Sequence, residues 1–297
     1  MRRLALALLM TLAAIASVPA ATPPALPEGV TAEPDLVYAT RGDQKLMLDF
    51  YRPTGATTPL PVVIWIHGGG WTGGTRARIV SPARLLPHGF AIASISYRFA
   101  PKLPAAGAVF PAQIEDCRSA VRWLRAQAPR LGIDPKRIGA WGLSAGGHLA
   151  ALLGTSAARK EWDVGEHLDQ SSEVQAVCDW FGVTQFIAPE GQDTAAEGSR
   201  KDAMANLLGG APASVVELAR AANPLTHIAA GCPPFLIMHG ADDTTVLPYH
   251  SRNLHEALKA AGADSTYHLV PGQKHAMSDA QYPPVVDFFV RTLKAGR

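Results

Sequence analysis

Between positions 137 and 153 the chain passes from the short apolar run Arg137-Ile138-Gly139-Ala140-Trp141, through Gly142-Leu143-Ser144-Ala145-Gly146, into Gly147-His148-Leu149-Ala150-Ala151-Leu152-Leu153. The apolar run is entered through an Asp134-Pro135 turn, and the stretch that follows is rich in helix formers. This strand–turn–helix junction constrains the fold more than any other segment. The turn is so tight that side chains close to the serine would clash, so glycine stands two residues to either side of it. Such geometry pushes the Ser144 hydroxyl out over a sheet edge and aims the next helix's N-terminus at whatever is bound there. A chance G-x-S-x-G arises in roughly one chain of this length in ten. The surrounding pattern therefore decides.

That pattern alternates strands with helices. Leu36-Val37-Tyr38 and Leu46 to Tyr51, separated by Arg41-Gly42-Asp43, read as an antiparallel hairpin behind a Pro/Ala-rich, extended stretch at 22–34. Val62 to Ile66 and Ala91 to Ile95 are dense apolar runs, as expected of strands covered on both faces. A crossover helix is expected between them at 79–87. Ile114, Cys117, Val121 and Leu124 recur at helical steps over 113–128, with Pro129 as the stop. Further strands are expected at 137–141, 174–179, 235–239 and 266–270. Leu254, Ala257, Leu258 and Ala261 mark a helix closed by Gly262, and Pro283-Pro284 open a last one carrying Val285, Val286, Phe289 and Leu293. Alternation over this length predicts an α/β fold, a mostly parallel central sheet flanked by helices. The polar stretches 156–173 and 185–212 read as irregular insertions that shape a substrate site.

With 297 residues and 47% hydrophobic content the chain can bury one large core, so a single domain over 22–297 is expected. Arg2 and Arg3 precede an apolar run from Leu4 to Val18, and Val18-Pro19-Ala20 followed by Ala21 offers a small-residue cleavage site. Residues 1–21 therefore read as an export signal, and a periplasmic or secreted location is expected. The apolar run is shorter than the roughly 20 residues a membrane span needs, and no cysteine follows it to carry a lipid, so no stable membrane anchoring is expected. Removing Arg2 and Arg3 from the 27 basic residues leaves 25, equal to the 25 acidic ones. That balance gives no electrostatic reason to expect nucleic acid as a partner. Cys117, Cys178 and Cys232 allow at most one disulfide and read as small buried thiols. No Cys/His cluster has the spacing of a metal site.

His67-Gly68-Gly69-Gly70-Trp71 follows directly on the run Val62–Ile66. An oxyanion formed during acyl transfer needs converging N–H donors with no side chains in the way. The backbone N–H groups of Gly69, Gly70 and Ala145 are the candidates, with His67 bracing the loop. A serine hydroxyl also needs an oriented base. Asp243 lies in the loop after 235–239, and His275 in Gly272-Gln273-Lys274-His275 after the next strand. Ser144, Asp243 and His275 are thus the candidate catalytic residues, in the order nucleophile, acid, base. The rival acids are Asp242 and Asp179, and His268 and His148 are weaker rivals for the base.

These segments stand together with Ser96-Tyr97-Arg98-Phe99-Ala100-Pro101, Phe110-Pro111-Ala112-Gln113 with Asp116, and Asp179-Trp180-Phe181-Gly182. In this order the chain resembles the α/β-hydrolase superfamily. Within it, the likeness is to esterases related to hormone-sensitive lipase and to the acetyl and feruloyl esterases of polysaccharide degradation. The resemblance implies a Ser144–His275–Asp243 triad, an oxyanion loop at Gly69 and Gly70, and Tyr97-Arg98 with Asp116 as loop braces. Phe99 departs from the leucine often found there, and no small residue stands beside His275. The 36–51 hairpin, in place of a long helical cap, points to the polysaccharide-esterase side. The expected activity is cofactor-free hydrolysis of short or aromatic acyl esters, on a small molecule or a polysaccharide. Amide hydrolysis by the same groups and a catalytically silent binding module are the alternatives.

Overall fold

The structure is a computed structural model that describes residues 28–187 and 198–294. The expected export signal at 1–21 lies outside them. Among these residues eight strands form one sheet: β1 (Val30–Arg41), β2 (Gln44–Pro53), β3 (Leu60–Ile66), β4 (Ala91–Ile95), β5 (Ile133–Leu143), β6 (Ala176–Trp180), β7 (Phe235–Gly240) and β8 (Ser265–Val270). Their spatial order is β1-β2-β4-β3-β5-β6-β7-β8. The β1–β2 and β2–β4 pairs are antiparallel, and every pair from β4 to β8 is parallel. The C-terminal ends of β3, β5, β6, β7 and β8 therefore share one edge. All the loops that carry the candidate residues leave from that edge.

Among the described residues, seven α-helices accompany the sheet: α1 (Ala112–Ala126), α2 (Ala128–Leu131), α3 (Ala145–Thr155), α4 (Gly198–Leu208), α5 (Val216–Ala222), α6 (Tyr249–Ala260) and α7 (Tyr282–Leu293). The two-residue period of β3 divides its side chains between two cores. Val62, Ile64 and Ile66 pack with Ile114, Leu149 and Leu254 from α1, α3 and α6. Val63 and Trp65 pack on the other face with Leu85, Phe288 and Phe289, the last two from α7. Burial on both faces explains why β3 reads as a continuous apolar run rather than an alternating one. Among the described residues no helix is long and apolar enough to cross a membrane.

Four sequence expectations are corrected. The 79–87 crossover is a 3-10 helix, Pro82–His88, closed by Gly89 at a φ of 71°. Pro87 inside it has no N–H to give to an α-helical ladder. The helix expected to run to residue 128 ends at Ala126, and Pro129 sits in the first turn of α2 instead of stopping a helix. A proline in a first turn loses only an N–H that would lack a partner anyway. Residues 30–34 of the supposed extended N-terminus belong to β1, and α4 interrupts the 185–212 insertion. The three cysteines are free thiols. Burial pushes the Cys117 and Cys178 thiols up.

The 156–173 insertion holds one 3-10 turn, Lys160–Trp162, and is otherwise irregular, yet it is firmly tied to α1. Asp163 accepts from Arg118 Nε and Nη2, both at 2.9 Å, and from Arg122 Nη1 at 2.7 Å. Arg118 also donates to the Ser156 carbonyl at 3.0 Å and Arg122 to the Val164 carbonyl at 2.6 Å. Both guanidiniums are almost wholly buried, at 1% and 0% side-chain exposure. Two buried cations thus depend on one carboxylate. Asp163→Ala leaves them uncompensated, and a loss of about 3–5 kcal/mol is expected. Urea unfolding reads this directly, and a midpoint within error of wild type would contradict the assignment.

Candidate active site

The glycines around Ser144 are dictated by close backbone approaches. A Cβ on Gly142 would collide with the Gly146 carbonyl, and one on Gly146 with the carbonyl oxygen of Ile66 at the end of β3. Gly147 is equally confined, because its Cβ would strike Asp179 Oδ1. Ser144 itself is held at φ 55°, ψ −119°, a conformation that costs on the order of 1–3 kcal/mol for a residue with a side chain. Its N–H bonds the Trp180 carbonyl at 2.9 Å, and its own carbonyl accepts the His148 N–H at 3.0 Å. The adjacent strands and the first turn of α3 thus lock the serine in place.

Ser144, His275 and Asp243 come together from three separate loops. His275 Nε2 lies 2.9 Å from Ser144 Oγ, and His275 Nδ1 lies 2.7 Å from Asp243 Oδ2. An ionised carboxylate only accepts, so Nδ1 carries the proton and Nε2 is free to accept the serine hydroxyl. Asp243 Oδ1 accepts the backbone N–H groups of Thr245 at 2.8 Å and Val246 at 3.0 Å. Burial alone would raise this carboxyl. The hydrogen bonds from His239, His275 and Val246 outweigh burial and hold it well below the usual carboxylate range.

Two contributors carry no signal in the sequence pattern. His239 is fully buried, with Nε2 3.3 Å from Asp243 Oδ2 and 2.8 Å from the Val246 carbonyl. Its Nδ1 faces Ser251 Oγ at 2.7 Å. In the sequence it marks only the end of a strand. The Phe181 ring lies 4.5 Å from the His275 ring and covers it. A residue that shields an imidazole has no spacing rule by which to find it.

The rival residues are elsewhere. Asp242 is exposed, and its backbone N–H bonds the Gln273 carbonyl. His268 is exposed on β8. His148 is buried, which pushes its imidazole down to about 4. It donates through Nε2 to the Ala222 carbonyl at 2.7 Å and accepts the Trp71 indole N–H on Nδ1 at 3.1 Å. It is thus a neutral brace for the glycine loop. His67 braces the same loop by bonding the Gly68 carbonyl at 2.8 Å and stacking on Tyr97.

Gly69 and Gly70 have φ values of 117° and 59°, which only glycine adopts readily. The loop lies against the serine, since a Cβ on Gly68 would come within 2.6 Å of Leu143 Cδ1 and 3.3 Å of Ser144 Cβ. Gly70 and Ala145 join Ser144 on the wall of a cavity of about 140 Å³. Gly69 is not on that wall. It shapes the turn, with its carbonyl accepting the Thr72 N–H at 3.2 Å. A larger hollow of about 400 Å³, lined by Glu173, His227 and Cys232, opens at the opposite edge, where β6 and β7 begin.

Asp179 lies under the turn and does not reach His275. Its Oδ1 accepts the Gly182 N–H at 2.9 Å, and its Oδ2 has no partner among the described residues. Burial pushes the carboxyl up to about 7, against the opposing pull of the Gly182 bond. An unfolded aspartate titrates near ~3.9. From about pH 4 to 7 the folded state therefore holds a proton that the unfolded state has lost, and stability falls as pH rises. Asp179→Asn removes that slope. In urea unfolding, its stability relative to wild type is expected to be higher at pH 8 than at pH 4.5, by on the order of 3 kcal/mol. An identical difference at both pH values would show that the carboxyl does not titrate in this range.

Residues 48–258 match the BD-FAE family. The esterase LipC of Mycobacterium tuberculosis is 30% identical over 78% of this chain and 57% of its own length. The chain spans about half the length of the curated relatives it matches. Among solved structures, a truncated carbohydrate esterase from gut microbiota has a TM-score of 0.77 at 29% identity, covering 89% of this chain and 96% of that one. The butyrate-bound Est2 esterase of Thermogutta terrifontis has a TM-score of 0.72 at 25% identity, covering 91% and 97%. These likenesses run across the sheet, the Ser144 turn and the glycine loop alike, and the chain belongs to the BD-FAE family of α/β-hydrolase esterases.

Proposed function

We propose that the chain is a cofactor-free serine hydrolase of carboxylic esters. The observation that carries the proposal is the continuous hydrogen-bonded line Ser144–His275–Asp243, set on a strained turn at the mouth of a cavity. As Ser144 Oγ attacks the ester carbonyl, His275 Nε2 takes the hydroxyl proton. The imidazolium so formed faces a carboxylate kept ionised by its own hydrogen bonds, which lowers the cost of the transition state. The carbonyl oxygen, now negative, is met by the backbone N–H groups of Gly69, Gly70 and Ala145. His275 then hands its proton to the departing alcohol. A water, deprotonated by the same nitrogen, releases the acid and restores the serine.

The kinship with carbohydrate esterases supports a polysaccharide carrying ester groups as the substrate. An export signal at 1–21 would place the enzyme where such polymers are met. Ser144→Ala is expected to lower kcat on p-nitrophenyl acetate by about 10⁴-fold or more, and Asp243→Asn by about 10⁴-fold, with circular dichroism unchanged. Wild-type turnover in Ser144→Ala would refute the mechanism. Serine-dependent release of acetate from acetylated xylan, faster than from p-nitrophenyl acetate, is the result expected of a polysaccharide esterase. Turnover of p-nitrophenyl acetate alone would contradict that substrate.

A further inference from the structure

The chain leaves β6 through Asp179-Trp180-Phe181-Gly182, and this turn touches both the nucleophile and the base without belonging to the triad. The Trp180 carbonyl accepts the Ser144 N–H at 2.9 Å. The Phe181 ring lies 4.5 Å from the His275 ring, tilted by 53°. Gly182 lies against the first turn of α3, where a Cβ on it would come within 2.7 Å of the His148 nitrogen. His275 needs such support, because its chain neighbours Lys274 and Ala276 are exposed. Its two hydrogen bonds, to Asp243 and Ser144, run in one line through the imidazole. They do little against a tilt of the ring about that line, whereas a ring packed on its face does.

Phe181 is held in a conformation it would not choose. Its φ is 44°, in the left-handed region that a residue with a bulky side chain enters only under constraint. Neighbours along a strand face opposite ways, yet Phe181 packs in the same α7-side cluster as Trp180. The constraint comes from the two peptide N–H groups that flank its Cα. The Phe181 N–H donates to the Met238 carbonyl at 2.8 Å and so continues the pairing of β6 with β7. The Gly182 N–H donates to Asp179 Oδ1 at 2.9 Å. The first bond needs only backbone. The second needs a side chain that reaches forward three residues to close the turn.

Asp179 is confined to that task. It is wholly buried, and its Oδ1 fills the space where a Cβ on either Gly147 or Gly182 would stand. One oxygen thus wedges between the helix that starts at Ser144 and the turn that carries Phe181. Its Oδ2 has no partner among the described residues. Burying a carboxyl for one hydrogen bond and holding a phenylalanine at positive φ both cost free energy. Both costs fall in one turn, and what that turn fixes is the ring against His275. Resting on the ester-hydrolase reading above, we propose that Asp179 is a positioning residue: its Oδ1 clamps the 179–182 turn and, through Phe181, keeps the His275 imidazole aligned on Ser144.

The test is a double-mutant cycle on the full-length protein, read as kcat and KM for p-nitrophenyl acetate with Ser144→Ala as the blank. Circular dichroism verifies each fold. Asp179→Ala frees the Gly182 N–H and is expected to lower kcat by about 10- to 100-fold, with KM within about threefold of wild type. Phe181→Ala removes the ring but leaves the clamp, and a loss of about 10- to 100-fold is expected there too. Because one residue acts through the other, the double variant is expected to lie within about threefold of the slower single variant. Asp179→Asn keeps an oxygen for the Gly182 N–H and is expected to hold kcat within about threefold of wild type. If Asp179→Ala does not fold, Asp179→Ser takes its place with the same expectation, since its hydroxyl ends one bond short of Oδ1. A residue that only stabilised the fold would shift the urea midpoint and leave kcat unchanged, and that result would overturn the assignment. So would a double variant whose loss is the product of the two single losses, or Asp179→Asn as slow as Asp179→Ala. Absence of serine-dependent turnover in wild type would instead bring down the ester-hydrolase reading, and the positioning role with it.

Discussion

The approach of the first turn of α3 to the end of β3 governs the rest of the site. Gly146 sits so close to the Ile66 carbonyl that no side chain fits between them. That contact joins two adjacent strands of the sheet centre, β3 and β5, at the points where the chain leaves each of them. One exit leads into the glycine loop and the other into Ser144. Ser144 and the glycine loop are therefore placed by a single steric constraint. The strain at Ser144 is sustained by the packing around it, with Gly147 and Gly182 close on Asp179 below.

Electrostatics complete what sterics begin. Asp243 is buried yet ionised, because two imidazoles and two backbone N–H groups converge on its oxygens. Such a carboxylate holds His275 in one tautomer and one orientation. Two other buried histidines are fixed in the same way, His148 by a carbonyl and an indole N–H, His239 by a carbonyl and a hydroxyl. His148 ties the glycine loop to α5, while His239 ties the Asp243 loop to α6. The site is held from outside its own reacting groups, which limits the movement each of them can make.

Much of this was legible in the order of residues. The sheet, its mostly parallel sense and the placement of Ser144, Asp243 and His275 in loops after β5, β7 and β8 follow from strands whose burial leaves an unmistakable apolar pattern. The glycines declared the turn because backbone collisions admit nothing else. What stayed hidden depends on distance rather than pattern. Proline chemistry at Pro87 and Pro129 is ambiguous between stopping a helix and starting one until the turn is seen. Helix α4 carries only a short apolar stripe, Met204, Leu207 and Leu208, within a polar insertion, so its presence, and Ala203's contact with Gly70, could not be read. His239 and Phe181 act through contacts made across the sheet edge.

The central claim is that Ser144 is a nucleophile activated by His275, and covalent trapping reads it most directly. The full-length protein, treated with a small fluorophosphonate and mapped by peptide mass spectrometry, is expected to carry one adduct per chain, on Ser144. The rate of labelling should collapse in His275→Ala, whose fold is verified by circular dichroism. An adduct on another residue, an unlabelled native protein, or undiminished labelling without His275 would contradict the account.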